Sequence, residues 1–299
     1  MSEPIVNLGV DLGTSRSSIS SSNGVRQAVE SYVGWPTDLV ARKVLRKEVL
    51  VGREALDNRR MLDIRRPLER GLIKEGSELD GRAVHELLQH LVSLVGLGPD
   101  RRDLRVRAVV GVPAAALRVN KQQLRNALRG IVDLLMIVSE PFAVAYGLEA
   151  LVNSLIIDIG AGTCDFCVMN GRYPTEEDQR TLTLAGDYID EQLHLQVAAL
   201  NPEASISRHM VREWKESYSF VGEAPEAIEV MAPVQGRPTR FDITDPMRSS
   251  CESIVPAVIE TMLDLISRVE PEYQESVRNN VILSGGSGLI RGLGLALQE

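Results

Sequence analysis

The chain has 299 residues, of which 44% are hydrophobic and 25% are charged, values typical of folded globular proteins. This length suits two domains of ordinary size. A formal net charge of −8 argues against a nucleic-acid partner, because phosphate binding needs a basic face. No run of 18 apolar residues and no export signal at residues 1–4 are present. With three cysteines and no export route, we expect a reducing, cytoplasmic location.

The first predicted element is a strand at residues 5–10, which runs into the sequence DLGTS at residues 11–15. A second strand around residues 17–20 leads to Asn23 and Gly24, a pair that favours the tight turn of a hairpin. Helical spacing of apolar residues follows at residues 82–95. Residues 106–112 form a predicted strand that ends at Pro113. The N-terminal region therefore combines strands with helices.

Further elements continue this alternation. We predict a helix at residues 120–128, a strand or strand-plus-turn at 131–138, and a helix from Pro141 to residue 150. Near the end, residues 254–267 read as a helix, and a strand at 281–284 enters the sequence GGSG at 285–288. Strands that alternate with helices indicate an α/β architecture.

Residues 155–168 repeat the layout of the N-terminus. An apolar strand leads into DIGAGT at residues 158–163, and a second strand follows at 165–168. We interpret this as an internal duplication with one copy in each half, 1–139 and 140–299. The more polar stretches at about 35–81 and 187–246 are predicted to be outer subdomains inserted into the two halves.

Cys164 and Cys167 form a CxxC pair, which in other contexts marks a redox or zinc site. Here the pair lies in a predicted strand, and side chains three residues apart on a strand point to opposite faces. We therefore expect buried structural thiols that diverge. The four histidines show no metal-ligand spacing.

The glycine turns that follow three strands carry the main chemical signal. Backbone without side chains can approach phosphate oxygens and present several N–H donors to them. Asp11 and Asp158 begin two of these turns, and a carboxylate there can hold Mg²⁺ or its waters. Thr14, Ser15 and Thr163 add hydroxyl groups. The sequence has no GxxxxGK[ST], which excludes a P-loop.

The order of these motifs resembles that of the actin, sugar-kinase and heat-shock ATPase superfamily. Residues 11–15 look like its first phosphate motif, 158–163 like the second, and 281–293 like the adenosine motif, while 109–116 resemble the first connecting segment. The sequences RPL at 66–68, Gly71, SEPF at 139–142 and AGD at 185–187 are similar to those of bacterial actins. Residues 35–36, 41–43 and 219–222 are similar to the magnetosome-filament actins.

This resemblance implies an actin-like fold: two related halves, each a mixed sheet with flanking helices, and a nucleotide cleft between them. It implies slow hydrolysis of ATP with Mg²⁺ and assembly into cytoskeletal filaments that organise magnetosomes. Glu140 would activate the attacking water, Asp158 and Thr163 would assist, and Asp11 and Asp158 would hold the metal through waters. The implied nucleotide-binding residues are Asp11, Gly13, Thr14, Ser15, Gly160, Ala161, Gly162, Gly186, Lys215, Glu216, Gly285, Gly286 and Ser287.

Three departures from the family pattern accompany the resemblance. Cys164 stands where bacterial actins usually carry a threonine, and Ser287 replaces a common glycine. Family members continue beyond the position of Glu299 with elements that pack on the first half, and we expect their absence to lower stability or to require a partner. The implied partners are a second copy or a full-length paralogue in filaments, and magnetosome-associated adaptor proteins. The alternative is a nucleotide-binding regulator that does not polymerise.

Overall fold

The computed structural model describes residues 4–74, 78–97, 104–116 and 118–298. The chain separates into two compact units, Met1–Ala143 and Val144–Glu299. Among the described residues, no helix combines the length and the apolar composition that crossing a bilayer requires.

The first unit contains strands and helices in mixed order. Its described strands are β1 (Ile5–Leu12), β2 (Arg16–Ser21), β3 (Arg26–Glu30), β4 (Val33–Pro36), β5 (Leu50–Val51), β6 (Leu62–Arg65), β7 (Leu68–Glu69), β8 (Leu72–Ile73), β9 (Arg105–Val112) and β10 (Leu134–Ser139). Its helices are α1 (Leu39–Leu45), α2 (Arg53–Asp57), α3 (Glu78–Leu94), α4 (Arg118–Ala127) and α5 (Glu140–Gly147), the last of which contains the boundary between the units.

The main sheet of the first unit has the strand order β10-β9-β1-β2-β3. Strand β1 runs parallel to β9 and antiparallel to β2, and β9 runs parallel to β10. Alternate residues of β1 (Leu8, Val10 and Leu12) are buried in a core shared with α3. The apolar stripe predicted for α3 is buried in that core, because a spacing of three and four residues places its members on one helix face.

Residues 33–73 form two small sheets beside the main one. Strands β5, β4 and β6 make a three-stranded antiparallel sheet, and β7 pairs with β8 as a short hairpin. The hairpin turn consists of Arg70 and Gly71, both with positive φ (52° and 68°), the conformation that two-residue hairpin turns favour. This hairpin contacts the first glycine turn, as described below.

The second unit has the following elements. Its described strands are β11 (Val152–Ile159), β12 (Cys164–Asn170), β13 (Gln179–Leu182), β14 (Glu229–Val234), β15 (Arg237–Asp242) and β16 (Val281–Ser284). Its helices are α6 (Gly186–Leu200), α7 (Arg208–Tyr218), α8 (Thr244–Glu252), α9 (Val255–Ser267), α10 (Pro271–Arg278) and the short α11 (Leu293–Ala296).

The main sheet of the second unit has the order β13-β12-β11-β16 and repeats the order β3-β2-β1-β9 of the first. In both sheets the leading strand pairs antiparallel with the next strand and parallel with a later one. The turns also match in length, since Leu12 pairs with Ser17 and Ile159 pairs with Cys164. The topology therefore contains the same strand-turn-strand arrangement twice, as the sequence pattern indicated.

Some element boundaries differ from the sequence predictions. Of the two alternatives predicted for residues 131–138, the structure has a turn followed by a strand that begins at Leu134, because Gly130 has φ +79° and the Ile131 N–H bonds the Leu128 carbonyl. The helix predicted to reach residue 150 ends at Gly147. Both differences lie at element ends, where local pattern carries least information.

The cysteines of the CxxC pair are buried and free, and they have different surroundings. Cys164 belongs to the core that α6 helps to form, whereas the Cys167 thiol lies 3.6 Å from the sulfur of Met169. In the described part of the chain, no group of three or more His, Cys, Asp or Glu side chains is arranged to hold a metal ion.

Candidate functional site

Two predicted carboxylates of the first unit lie at one edge of its sheet. Asp11 on β1 pairs with Gly111 on β9, which in turn pairs with Val138 near the end of β10. Glu140 begins α5 directly after β10, and a Cβ at Gly111 would lie 3.2 Å from the Glu140 Cγ. The carboxyl ends of three parallel strands thus place Asp11 and Glu140 on either side of a glycine, at the edge where open α/β sheets bind ligands.

The Asp11 side chain is exposed to solvent. The protein around it nevertheless removes part of the water from its carboxyl group, and this desolvation raises the pKa of the carboxyl. The two observations agree on a partly enclosed carboxylate that remains reachable. Such a group can exchange protein surroundings for a cation or its waters.

The first glycine turn is held by the chain around it. A Cβ at Gly13 would overlap the Arg16 carbonyl oxygen, so this turn requires glycine. Thr14 is 4% exposed, and its hydroxyl oxygen accepts a 2.7 Å hydrogen bond from the Gly71 N–H. The Ser15 carbonyl accepts a 2.9 Å bond from the Ser31 N–H. The Thr14 hydroxyl, predicted as a phosphate donor, is therefore already engaged as an acceptor within the fold.

The second glycine turn meets two other segments at Gly160. The Gly160 N–H bonds the Thr163 carbonyl at 2.8 Å and closes the turn. The Gly160 carbonyl accepts hydrogen bonds from the Gly186 N–H (3.1 Å) and from the Ser287 hydroxyl (3.0 Å). The next carbonyl, of Ala161, accepts a 2.7 Å bond from the N–H of Asp187. The second turn, the start of α6 and the third glycine motif are therefore one connected structure.

Glycine residues make this close approach possible. A Cβ at Gly186 would lie 2.7 Å from the Ser287 Oγ and 3.2 Å from the Gly160 carbonyl oxygen. At Gly285, with φ +80°, a Cβ would overlap the Asp158 carboxylate and the Ile159 carbonyl. Gly286 differs, because a Cβ there would meet no atom within 4 Å. The backbone at Gly286 is thus open to a ligand on the side where a side chain would project.

A buried charge cluster supports the start of α6 from α7. Lys215 is 8% exposed, and its Nζ donates to the Gly186 carbonyl at 2.8 Å and pairs with the Asp190 carboxylate at 2.8 Å. Arg212 pairs with Asp187 (3.2 Å) and Asp190 (3.3 Å). The family resemblance implied contacts of Lys215 and Glu216 with the nucleoside; here the Lys215 ammonium holds the Gly186 peptide and Glu216 is exposed.

The remaining predicted residues lie at the ends of the central strands of the second unit. Asp158 is the penultimate residue of β11; it is half-buried, and it pairs with Asp165 on β12 and with Ser284 on β16. Thr163 is buried, and its carbonyl closes the second turn. The first unit therefore groups Asp11, Gly13, Thr14, Ser15 and Glu140. The second unit groups Asp158, Gly160, Ala161, Gly162, Thr163, Gly186, Lys215, Gly285, Gly286 and Ser287.

Sequence reasoning missed the residues that support these turns from behind. Ser31, Asp190 and Arg212 contact the turns or the start of α6 but belong to no local motif. Arg66 and Gly71 were noted only as family-like residues, and their contacts with Thr14 were not predicted.

Comparison with known proteins identifies the family. Residues 5–299 match the MreB/Mbl protein family. The actin-like protein MamK of Paramagnetospirillum magneticum is 40% identical over 292 residues, which are 98% of this chain and 83% of that protein.

Solved structures agree with this relationship. The chain of a MamK double helical filament is 40% identical and superposes with a TM-score of 0.94, over 98% of this chain and 89% of that one. A non-polymerising MamK mutant bound to AMPPNP is 39% identical, with a TM-score of 0.71 over 99% and 90% of the two chains. The predicted actin-like fold is confirmed, and the chain belongs to the MreB/Mbl family of actin-like proteins.

Proposed function

We propose that this chain binds ATP with Mg²⁺ through its glycine turns, hydrolyses it slowly, and assembles into filaments. The observation that carries the proposal is the arrangement at Gly160 and Ala161. The Gly160 carbonyl accepts from the Gly186 N–H and the Ser287 hydroxyl, and the Ala161 carbonyl accepts from the Asp187 N–H. In a trans peptide the N–H of the next residue points away from the carbonyl. The N–H groups of Ala161 and Gly162 are therefore directed away from α6, and neither donates a hydrogen bond within the described part of the chain.

Two adjacent, unpaired N–H groups on glycine-rich backbone suit the oxygens of a phosphate. The open backbone at Gly286, next to the same turn, gives the nucleoside a place to approach without a side chain in the way. A MamK mutant bound to AMPPNP, an ATP analogue, supports the choice of nucleotide.

The carboxylates fit Mg²⁺ better than a metal held by protein alone. Mg²⁺ is usually bound by one or two carboxylates together with substrate phosphates and waters. Asp11 and Asp158 are each the penultimate residue of a strand that leads into a glycine turn, and the described residues offer no cluster of three protein ligands. We assign Asp11 and Asp158 to the metal and its waters; when bound, the ion neutralises charge that develops on the phosphates.

Hydrolysis is assigned to Glu140 with help from Thr163. Glu140 stands at the first position of α5 after a parallel strand, where a carboxylate can orient a water and accept its proton. The family resemblance assigns Thr163, which is buried at the end of the second turn, to the same step. We expect this turnover to be slow, as the family resemblance implies.

Assembly is proposed from the relatives. The MamK double helical filament shares this fold at 40% identity over nearly the whole chain. We therefore propose that the chain forms cytoskeletal filaments in the cytoplasm, with itself or with a MamK paralogue, and that these filaments organise magnetosomes through adaptor proteins. The second candidate is a nucleotide-binding partner of such filaments that does not polymerise.

One experiment tests these statements together. Purified protein is pelleted with ATP, ADP or no nucleotide in Mg²⁺ buffer, and released phosphate and the melting temperature are measured in parallel. Nucleotide at about 100 times its Kd should stabilise the folded chain by roughly 2.7 kcal/mol. ATP-dependent pelleting with slow phosphate release supports the proposal. Binding without pelleting supports the second candidate, and an unchanged melting temperature at millimolar ATP refutes both.

A further inference from the structure

A buried serine outside the sequence motifs fixes the first glycine turn. Ser31 lies between β3 and β4 and is fully buried. Its hydroxyl donates a 2.6 Å hydrogen bond to the Gly13 carbonyl, and its N–H donates a 2.9 Å bond to the Ser15 carbonyl. One residue therefore holds two carbonyls of the turn, although it is 18 residues from Gly13 in sequence.

A second hydroxyl extends this contact. The Ser17 Oγ lies 2.8 Å from the Ser31 Oγ, and both side chains are fully buried. A serine hydroxyl has a single proton, and Ser31 gives its proton to Gly13. Ser17 is therefore the donor to Ser31, which makes a chain from Ser17 through Ser31 to the Gly13 carbonyl. Because water cannot reach this chain, losing a member leaves buried polar atoms without that partner.

The Thr14 carbonyl, between those of Gly13 and Ser15, is held by a different segment. The Nε of Arg66 donates a 2.7 Å bond to the Thr14 carbonyl, and the Gly71 N–H donates to the Thr14 hydroxyl oxygen at 2.7 Å. Both donors belong to the segment that contains the β7–β8 hairpin. The carbonyls of Gly13, Thr14 and Ser15 are thus all bound by Ser31 and Arg66.

Bound carbonyls determine where the N–H groups of the turn point. Since the peptide is planar and trans, the Thr14 N–H is directed away from the Ser31 hydroxyl and the Ser15 N–H away from Arg66. Within the described residues, neither N–H donates a hydrogen bond. The turn therefore presents two oriented donors that nothing in the described chain uses.

We infer that Ser31 and Arg66 are positioning residues, which hold the first glycine turn with the Thr14 and Ser15 N–H groups ready for phosphate oxygens. This inference rests on the proposed nucleotide binding and extends it, because neither residue needs to touch the ligand. Holding the turn in its bound conformation raises affinity by removing the cost of ordering it on binding.

The test compares ATP affinity in matched variants, by calorimetry with excess Mg²⁺. Ser31→Ala removes a buried hydroxyl that donates to a backbone carbonyl, and Ser154→Ala is its control. The Ser154 hydroxyl is also fully buried and donates to the Ala150 carbonyl at 2.6 Å, away from every glycine turn. Arg66→Lys is paired with Arg65→Lys, because Arg65 contacts Asp63 at the surface and not the turn.

We expect the ATP Kd to rise about fivefold in Ser31→Ala and in Arg66→Lys, the effect of about one lost hydrogen bond. Ser17→Ala should raise it about twofold, because it acts only through Ser31. The two control variants should stay within about twofold of the unaltered chain. Urea unfolding without nucleotide should show a similar loss of stability in Ser31→Ala and Ser154→Ala, so that only the affinity separates them.

The outcomes distinguish this inference from the function on which it rests. If the unaltered chain and Ser154→Ala bind ATP and both Ser31→Ala and Arg66→Lys bind it equally well, the positioning role is wrong and nucleotide binding stands. If the unaltered chain does not bind ATP, the proposed function fails first. Equal losses of affinity in Ser31→Ala and Ser154→Ala would show a general effect of stability and would also overturn the inference.

Discussion

Gly285 and Gly286 are neighbours in one motif, and the structure predicts opposite effects of alanine at the two positions. Gly285 has φ +80°, and a Cβ there would overlap the Asp158 carboxylate and the Ile159 carbonyl. Gly286 has φ −64° and ψ −38°, and a Cβ there would meet nothing within 4 Å. Each position therefore serves as the control for the other.

The magnitudes follow from backbone conformation and overlap. At Gly285, an alanine in the left-handed region costs about 1–2 kcal/mol. Moving the Ile159 backbone to relieve the overlap costs about 1–3 kcal/mol more. At Gly286, alanine fits the helical conformation and should stabilise by about 0.4–1 kcal/mol, because it restricts the unfolded chain. The two variants should therefore differ by at least about 2.5 kcal/mol.

The assay is thermal unfolding without nucleotide, followed by circular dichroism. For domains of 150–250 residues, 1 kcal/mol changes the melting temperature by about 2–4 °C. We expect Gly285→Ala to melt at least about 5 °C below Gly286→Ala, since the difference exceeds about 2.5 kcal/mol. Equal melting temperatures would refute the packing described for Gly285. A second measurement adds MgATP. Gly286→Ala places a methyl group on the open backbone where we propose that the nucleoside approaches, so MgATP should raise its melting temperature by less than it raises that of the unaltered chain.

Further predictions concern Glu140, the buried Lys215 and the buried cysteines. Glu140→Gln should bind ATP with a Kd within about twofold of the unaltered chain and hydrolyse it at least about 100-fold more slowly, whereas Glu260→Gln, at an exposed position of α9, should change neither value; normal turnover would remove Glu140 from the mechanism. Lys215→Met leaves Asp190 with Arg212 alone and should cost about 2–4 kcal/mol in urea unfolding, against less than about 1 kcal/mol for Lys47→Met in an exposed ion pair. All three cysteines are buried, and burial raises the pKa of Cys167 to about 12 from 9.0, so native protein at pH 8 should not react with a thiol reagent until it unfolds. Above pH 9 the unfolded thiol loses a proton that the folded one keeps, so stability should fall as pH rises from 9 towards 12.

Much of the fold was predictable because its signals are local. A strand at 106–112 and a helix at 82–95 are confirmed as β9 and most of α3, since apolar periodicity reports which face of an element is buried. The glycine turns were predictable for a similar reason. Asp11 and Asp158 each stand at the end of an apolar strand, and the duplicated layout marked both as one structural motif.

The contacts that hold these turns involve side chains whose partners cannot be read from the local sequence pattern. The family resemblance implies a contact of Lys215 with the nucleoside, and the structure adds that its ammonium bonds the Gly186 carbonyl and lies beside Asp190. Which partner a long side chain reaches depends on how two helices pack, and helical spacing alone leaves that open.

The sequence by itself indicated the family, several of the strands and helices in their order, and the positions of the glycine turns. Only the tertiary structure decided how those turns are held. Ser31 and Arg66 reach Gly13 and Thr14 across 18 and 52 residues of chain, through one strand pairing and one hairpin. Periodicity and turn composition report local conformation, whereas a hydrogen bond between distant segments exists only when the sheet register brings donor and acceptor within 3 Å.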